Sequence, residues 1–174
     1  MHVQDIVALA QAAVAGEEAA LAAFYTALQA HIFGGEGHLG RHLGVEVVSV
    51  ARDAVTMRLP WRPALRRVGD IFHGGAIMAL GDHVAGCLFN TDPRIMATGS
   101  TGLTTDFTIS FLRGAGAGEA IVGTGAVLRR GRHVTFMQID VRGEVSGRTI
   151  ATCRTTYLTV PMARVGARVG EGKG

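Results

Sequence analysis

Apolar residues recur at helical spacing at the start of the chain and at every second position through much of the rest. Val3, Ile6, Val7, Ala10 and Val14 fall at i, i+3, i+4 intervals, and Leu21, Phe24, Tyr25 and Leu28 resume one face after a break at Gly16 and the acidic pair Glu17 and Glu18. Residues 3–31 are therefore predicted to be helical, with the glycine-rich stretch 33–37 ending them as a loop. From Gly44 the period is two. Val45, Val47 and Ser49 alternate with Glu46, Val48 and Val50; Arg52-Asp53 turns the chain; Val55, Met57 and Leu59 alternate with Thr56 and Arg58. That pattern predicts a β-hairpin, ended by Pro60 and Pro63 and followed by a loop from 61 to 70.

Helical spacing returns between His73 and Asn90. Ile77, Leu80, Val84 and Leu88 form a stripe, and Gly74, Gly75, Ala76, Ala79, Gly81, Ala85 and Gly86 fill most other positions. Each interior glycine costs about 1 kcal/mol relative to alanine, so this helix is predicted to press closely against other backbone. Beyond Asp92-Pro93 the chain is expected to be strand-like to 160, with strands over 103–112, 119–129, 133–142 and 148–160 joined as an antiparallel meander. On the strand 103–112, simple alternation puts Leu103, Thr105, Phe107, Ile109 and Phe111 on one face and Thr104, Asp106, Thr108 and Ser110 on the other. The fold class is thus α+β: an antiparallel sheet with a central glycine-rich helix. The expected organisation is an N-terminal helical extension (1–36), one domain (37–161) and a frayed tail (162–174).

Composition narrows the classes. A chain of 174 residues is one domain, or one domain with an appendage, and 18% charged residues exclude a charge-rich disordered chain. No apolar run is long enough to span a membrane, and the apolar opening lacks a basic lead-in, so it is expected to be helix and not a signal peptide. Cys87 and Cys153 are too few for a disulfide framework and are expected as reduced thiols in a cytoplasm. The net charge of +3 comes from scattered arginines and a single lysine, Lys173, without interleaved aromatics, so nucleic acid is not an expected partner.

Chemistry concentrates in Gly69-Asp70-Ile71-Phe72-His73-Gly74-Gly75-Ala76-Ile77-Met78-Ala79-Leu80-Gly81-Asp82-His83. His-Gly-Gly opens the helix where unpaired N–H groups and the positive dipole end collect, and glycine lets a ligand oxygen approach them. Asp82 is a carboxylate within an apolar helix, where the flanking Leu80 and Val84 predict burial. Gly74 and Asp82 lie about 12 Å apart along one helix, too far to share one carbonyl group. Two copies related by a two-fold axis bring Gly74 of one beside Asp82 of the other, which predicts a homodimer with two shared sites. His38 and His42 are rejected as a metal pair, since Gly37 and Gly40 argue against a helix there and no third ligand is evident; no metal is expected.

This arrangement, with the strand Ile109-Ser110-Phe111-Leu112-Arg113, the turn Arg130-Gly131-Arg132 and the late strand Ile150-Ala151-Thr152-Cys153, resembles the hotdog-fold acyl-CoA thioesterases, and most nearly their phenylacetate-pathway branch. The resemblance spans about residues 40–160. It implies a hotdog fold, a CoA thioester as substrate, no separate cofactor, and a dimer or dimer-of-dimers. The backbone N–H of Gly74 then polarises the thioester carbonyl, Gly75 shapes the turn, and Asp82 is nucleophile or general base on water. A hydroxyl on the first long strand positions that water, with Thr104 the best match and Thr105 the fallback. His73 suits a structural role fixing the loop as well as a catalytic one, and His83 suits packing. Arg129, Arg130 and Arg132 suit CoA phosphates or, equally, a solvated basic turn. Many relatives carry an amide side chain shortly before His-Gly-Gly. Here the neighbourhood is Arg66-Arg67-Val68-Gly69-Asp70, which leaves Asp70 as a substitute and Arg67 as a CoA contact. That departure keeps two other functions in view, a non-catalytic acyl-CoA binder and an enoyl-thioester hydratase. Phe24, Tyr25, Trp61, Phe107 and Phe111 suit either an acyl pocket or the core.

Overall fold

A computed structural model describes residues 2–31, 38–116 and 118–163 of the chain. The expected loop 33–37, the boundary at 36, Lys173 and nearly all of the tail lie outside the described residues. The N-terminal segment is a helical hairpin, α1 (Val3–Val14) and α2 (Glu18–His31), turned at Gly16, whose φ of 96° is the left-handed conformation glycine permits. The buried stripe is narrower than the sequence suggests. Ile6, Ala10, Phe24, Ala27 and Leu28 pack with Met96 in a small core of their own, while Val3 and Val14 stay exposed.

The rest is a six-stranded antiparallel sheet curled around one helix, the hotdog arrangement. It contains β1 (Glu46–Ala51), β2 (Ala54–Leu59), β5 (Ser100–Phe111), β6 (Ile121–Arg130), β7 (Val134–Gly143) and β8 (Thr149–Pro161). The central helix, α4, spans Gly74–Phe89. Two segments depart from expectation between the hairpin and α4. The supposed loop 61–70 contains a 3-10 turn (Pro63–Leu65) and a two-residue strand, β3 (Arg66–Arg67), paired with β4 (Ile71–Phe72). A one-turn helix, α3 (Leu39–Leu43), forms despite its glycine, because His38 caps it by accepting the Gly40 N–H through Nδ1 at 3.2 Å. Asp92-Pro93 likewise opens a short helix, α5 (Pro93–Ala97), where strand was expected. Asp92 caps it and Pro93 occupies a first-turn position that needs no N–H.

The strand order is β1-β2-β6-β7-β8-β5, so the meander holds only for β6, β7 and β8. β5 pairs with β8 at the far edge, and the chain then crosses the end of the sheet to start β6 beside β2. The segment 112–120 has the reach for this at about 3.3 Å per residue. Its crossing is pinned where the Phe72 N–H donates to the Ala115 carbonyl at 2.9 Å and the Leu112 N–H to the Ile150 carbonyl at 2.8 Å.

Leu80, Val84 and Leu88 are fully buried against Met57, Ile121 and Ile139. The close approach is of helix side chains to a sheet lacking them: a Cβ at Gly125 on β6 would stand 2.7 Å from Val84 and 3.0 Å from Leu88. Conversely, a Cβ at Gly81 on α4 would stand 3.0 Å from the Cys153 sulfur and 3.2 Å from the Phe107 ring. The α4 glycines thus accommodate sheet side chains, where contact with backbone was expected. Both thiols are buried, and burial pushes Cys87 up to about 12 and Cys153 up to about 11. We expect both to resist Ellman's reagent at pH 8 in the folded protein and to react once it is denatured. Prompt reaction of either in the native state would contradict this packing.

Candidate functional site

Helix α4 begins in a way that leaves one amide free. His73 is its N-cap, with extended backbone, and its Nδ1 accepts the Gly75 N–H at 2.9 Å. The His73 carbonyl receives the Ala76 N–H at 2.9 Å, and the His73 N–H donates to the Leu65 carbonyl at 2.8 Å. The imidazole is therefore committed to holding the turn. The Gly74 N–H has no acceptor among the described residues, at the positive end of a long helix. A Cβ here would meet the Phe111 ring at 3.3 Å, so glycine keeps this approach open.

Asp82 lies further along the same unbroken helix, about 12 Å away at 1.5 Å per residue. Burial was expected from its neighbours, yet Asp82 is exposed while Leu80 and Val84 are fully buried. At 100° per residue, position 82 points away from the face that 80 and 84 insert into the sheet. Asp82 joins no ion pair among the described residues. Instead it lines a cavity of about 640 Å³ and accepts a 3.4 Å hydrogen bond from the Tyr157 hydroxyl at Oδ1. Tyr157 is held from behind by stacking on Phe89, with ring centroids 5.5 Å apart. Burial pushes its hydroxyl up to about 12, so it is a donor at any physiological pH.

Thr104 stands directly opposite Tyr157 in the β5–β8 ladder, on the same face of the sheet. The expected alternation on β5 is therefore wrong in its first half. Thr104 pairs with Tyr157 and Asp106 with Thr156, which leaves Thr105 as an extra residue, a β-bulge. The bulge puts Thr104 on the same face as Phe107, Ile109 and Phe111 and sends Leu103 outward with Asp106. The Thr105 hydroxyl is spent on the Thr156 carbonyl at 3.0 Å. Asp82 and Thr104 thus meet through Tyr157, a residue the sequence did not single out. Its one signal was its place on the helix-facing side of β8, opposite Gly86, where a Cβ would come within 3.6 Å of the hydroxyl.

The basic turn divides. Arg130 is largely buried, with its guanidinium 2.8 Å from Asp53 Oδ1, donating to the Phe89 carbonyl at 3.0 Å and to the Leu88 carbonyl at 3.2 Å. It closes the C-terminus of α4 and anchors the β1–β2 turn. Arg129 and Arg132 are exposed. Near His73, Asp70 is paired with Arg66 at 2.7 Å, both side chains more than half exposed, and Arg67 is exposed on β3. His38 meets His83 edge-on with ring centroids 5.6 Å apart, and His83 Nδ1 lies 2.7 Å from the Ala79 carbonyl. Among the described residues no group of three metal-ligating side chains converges, and no helix is long and apolar enough to cross a membrane.

Known proteins share this frame. A putative esterase of Thermoplasma acidophilum is 31% identical over 124 residues, covering 70% of this chain and 89% of that protein. Zebrafish thioesterase superfamily member 2 superposes with a TM-score of 0.68 at 26% identity, over 77% of this chain and 97% of that one. The Escherichia coli PaaI protein from the phenylacetic acid degradation operon superposes with a TM-score of 0.67 at 20% identity, over 76% and 91% of the two chains, a likeness of fold. The family model described as the thioesterase superfamily matches residues 69–155, from the turn before His73 through most of β8. With the cap, the central helix and the curled sheet all inside or framing that match, the chain belongs to the thioesterase superfamily.

Proposed function

We propose that the protein hydrolyses acyl-CoA thioesters to a carboxylic acid and free CoA, as a homodimer or a dimer of such dimers, in a reducing cytoplasm. The observation that carries this is the pairing of a Gly74 N–H without an acceptor and an Asp82 carboxylate that opens onto a cavity and joins no ion pair among the described residues. One helix holds the two groups too far apart for one carbonyl, so the complete site needs two copies. β5 favours that assembly. It is an edge strand of twelve residues with its outer backbone unpaired, and Leu103 and Phe111 are exposed along it.

In the completed site the Gly74 amide of one protomer donates to the thioester oxygen and stabilises the developing oxyanion. Asp82 of the other protomer takes a proton from water as the water oxygen bonds to the carbonyl carbon. Direct attack by the carboxylate, followed by hydrolysis of the anhydride, is the other route open to it. The C–S bond then breaks and CoA leaves as thiolate; on the general-base route it takes up the proton that Asp82 accepted, which regenerates the carboxylate. Tyr157 and Thr104 orient Asp82 and the water. His73 serves as the cap. Of the three arginines at the turn, Arg129 and Arg132 are available for CoA phosphates, since Arg130 is engaged, and Arg67 is exposed for the same role.

Free-thiol release over aryl- and fatty-acyl-CoA esters tests the reading, and two buried thiols leave little background. Turnover is expected, together with a dimer or tetramer mass by light scattering. Binding without turnover across the panel, or hydration of crotonyl-CoA with no thiol released, would replace it. Tyr157→Phe should lower kcat about tenfold by removing one hydrogen bond to a charged group, with the KM little changed. An unaltered kcat would separate Tyr157 from the reaction.

A further inference from the structure

The hairpin α1–α2 lies outside the matched family region, which starts at residue 69, yet it forms part of the wall around Asp82. Val3 of α1 and Leu28 of α2 face the same cavity as Asp82 and Tyr157, with Leu39 of α3 and Met96 of α5 beside them. Its volume of about 640 Å³ lies within the range of small-molecule sites, about 300–1,000 Å³. Two of these wall residues are apolar side chains left open to the cavity, Val3 at 39% and Leu39 at 54% exposure. The hairpin is also fixed in place, because Ile6, Phe24 and Leu28 bury themselves against Met96. A wall that is apolar at Val3 and Leu28, with His31 at its edge, and that is docked and separate from the matched fold, is suited to choosing among substrates while the machinery on α4 stays constant.

Resting on the hydrolase reading above, we infer that the hairpin is the acyl-selecting wall of the site. The acyl chain leaves the scissile carbonyl beside Asp82 and runs against Val3, Leu28 and Leu39, so the favoured substrates carry flexible aliphatic chains of medium length. Met96, unbranched and adaptable, lets the wall follow chains of different length. Each methylene that reaches this wall raises kcat/KM by up to about fourfold, the equivalent of its transfer from water. A short acyl group that stops beside Asp82 gains nothing from the hairpin.

The test is a chain-length profile of kcat/KM, from butyryl-CoA to palmitoyl-CoA with phenylacetyl-CoA included, for the full chain and for Val3→Trp and Leu39→Trp. Both positions are exposed, so the substitutions fill the cavity without opening the core, and thermal melting checks that the fold is kept. The full chain should rise with length to a medium-chain optimum. Each tryptophan should cut kcat/KM at that optimum at least tenfold while butyryl-CoA stays within twofold. Unshifted profiles in both variants overturn the inference and leave the hydrolase reading intact, as does a full-chain optimum at butyryl-CoA. Failure of the full chain to release thiol from any ester overturns both.

Discussion

Asp82→Asn and Gly74→Pro should each lower kcat by about 10²–10³ or more, and mixing the two inactive proteins should restore activity. The first change removes the base or nucleophile and keeps the side-chain volume. The second removes the one amide in the first turn of α4 that has no acceptor among the described residues. Proline is tolerated at the first helical position, where its ring presets φ and the lost N–H has no intrahelical acceptor. His73, the preceding residue, already has the extended backbone that a following proline requires, with ψ of 136°. Phe111 must yield slightly, since a Cβ at 74 stands 3.3 Å from its ring. If each site draws Gly74 from one protomer and Asp82 from the other, a mixed dimer has one intact site and one doubly defective site. With random exchange, half the dimers are mixed and total activity returns to about a quarter of the unmutated protein. No recovery, with exchange verified by differently tagged protomers, would put both groups in one protomer's site or dismiss one of them.

Arg130→Ala should destabilise the fold by about 2–3 kcal/mol, and so lower the melting temperature by roughly 5–10 °C. The side chain is 14% exposed, and its loss strands the Phe89 carbonyl at the end of α4 and the Asp53 carboxylate, while the Leu88 carbonyl keeps the Thr91 hydroxyl at 2.8 Å. The figure is held down because Asp53 is 42% exposed and regains water when its partner goes. The paired change Arg129→Ala and Arg132→Ala should leave melting untouched and raise KM for acyl-CoA esters. The opposite pattern, an unchanged melt for Arg130→Ala with a raised KM, would return this guanidinium to the substrate.

Local chemistry in the sequence was a good guide where one element decided its own structure. The β1–β2 hairpin, the turn at Gly16 and the extent of α4 all follow from period and capping, and His73 proves to be the cap that its place before two glycines suggests. Asp92-Pro93 carried an equally plain signal, a capping carboxylate followed by a first-turn proline, and misleads only when taken as the entrance to a strand. Strand order was not legible, because nothing local distinguishes a connection that turns back beside its own strand from one that crosses to β2. Arg130 could not be separated from Arg129 and Arg132, since its partners Asp53, Leu88 and Phe89 are distant in sequence. The exposure of Asp82 was misjudged by weighing its neighbours instead of its angle around the helix.

The extra residue at Thr105 makes β5 sensitive to length in a way that it is not sensitive to composition. Ahead of it, even-numbered positions look toward the helix; behind it, odd-numbered ones do. Deleting that single codon would remove the bulge and leave one regular alternation, in which Thr104, then two places before Phe107, keeps its inward position. Flattening the bulge with Thr105 kept in the ladder is what would swing Thr104 to the far side and bring Leu103 beside the tyrosine. The facing of Thr104 thus rests on one residue being absorbed as a bulge, and not on the side chain that residue carries.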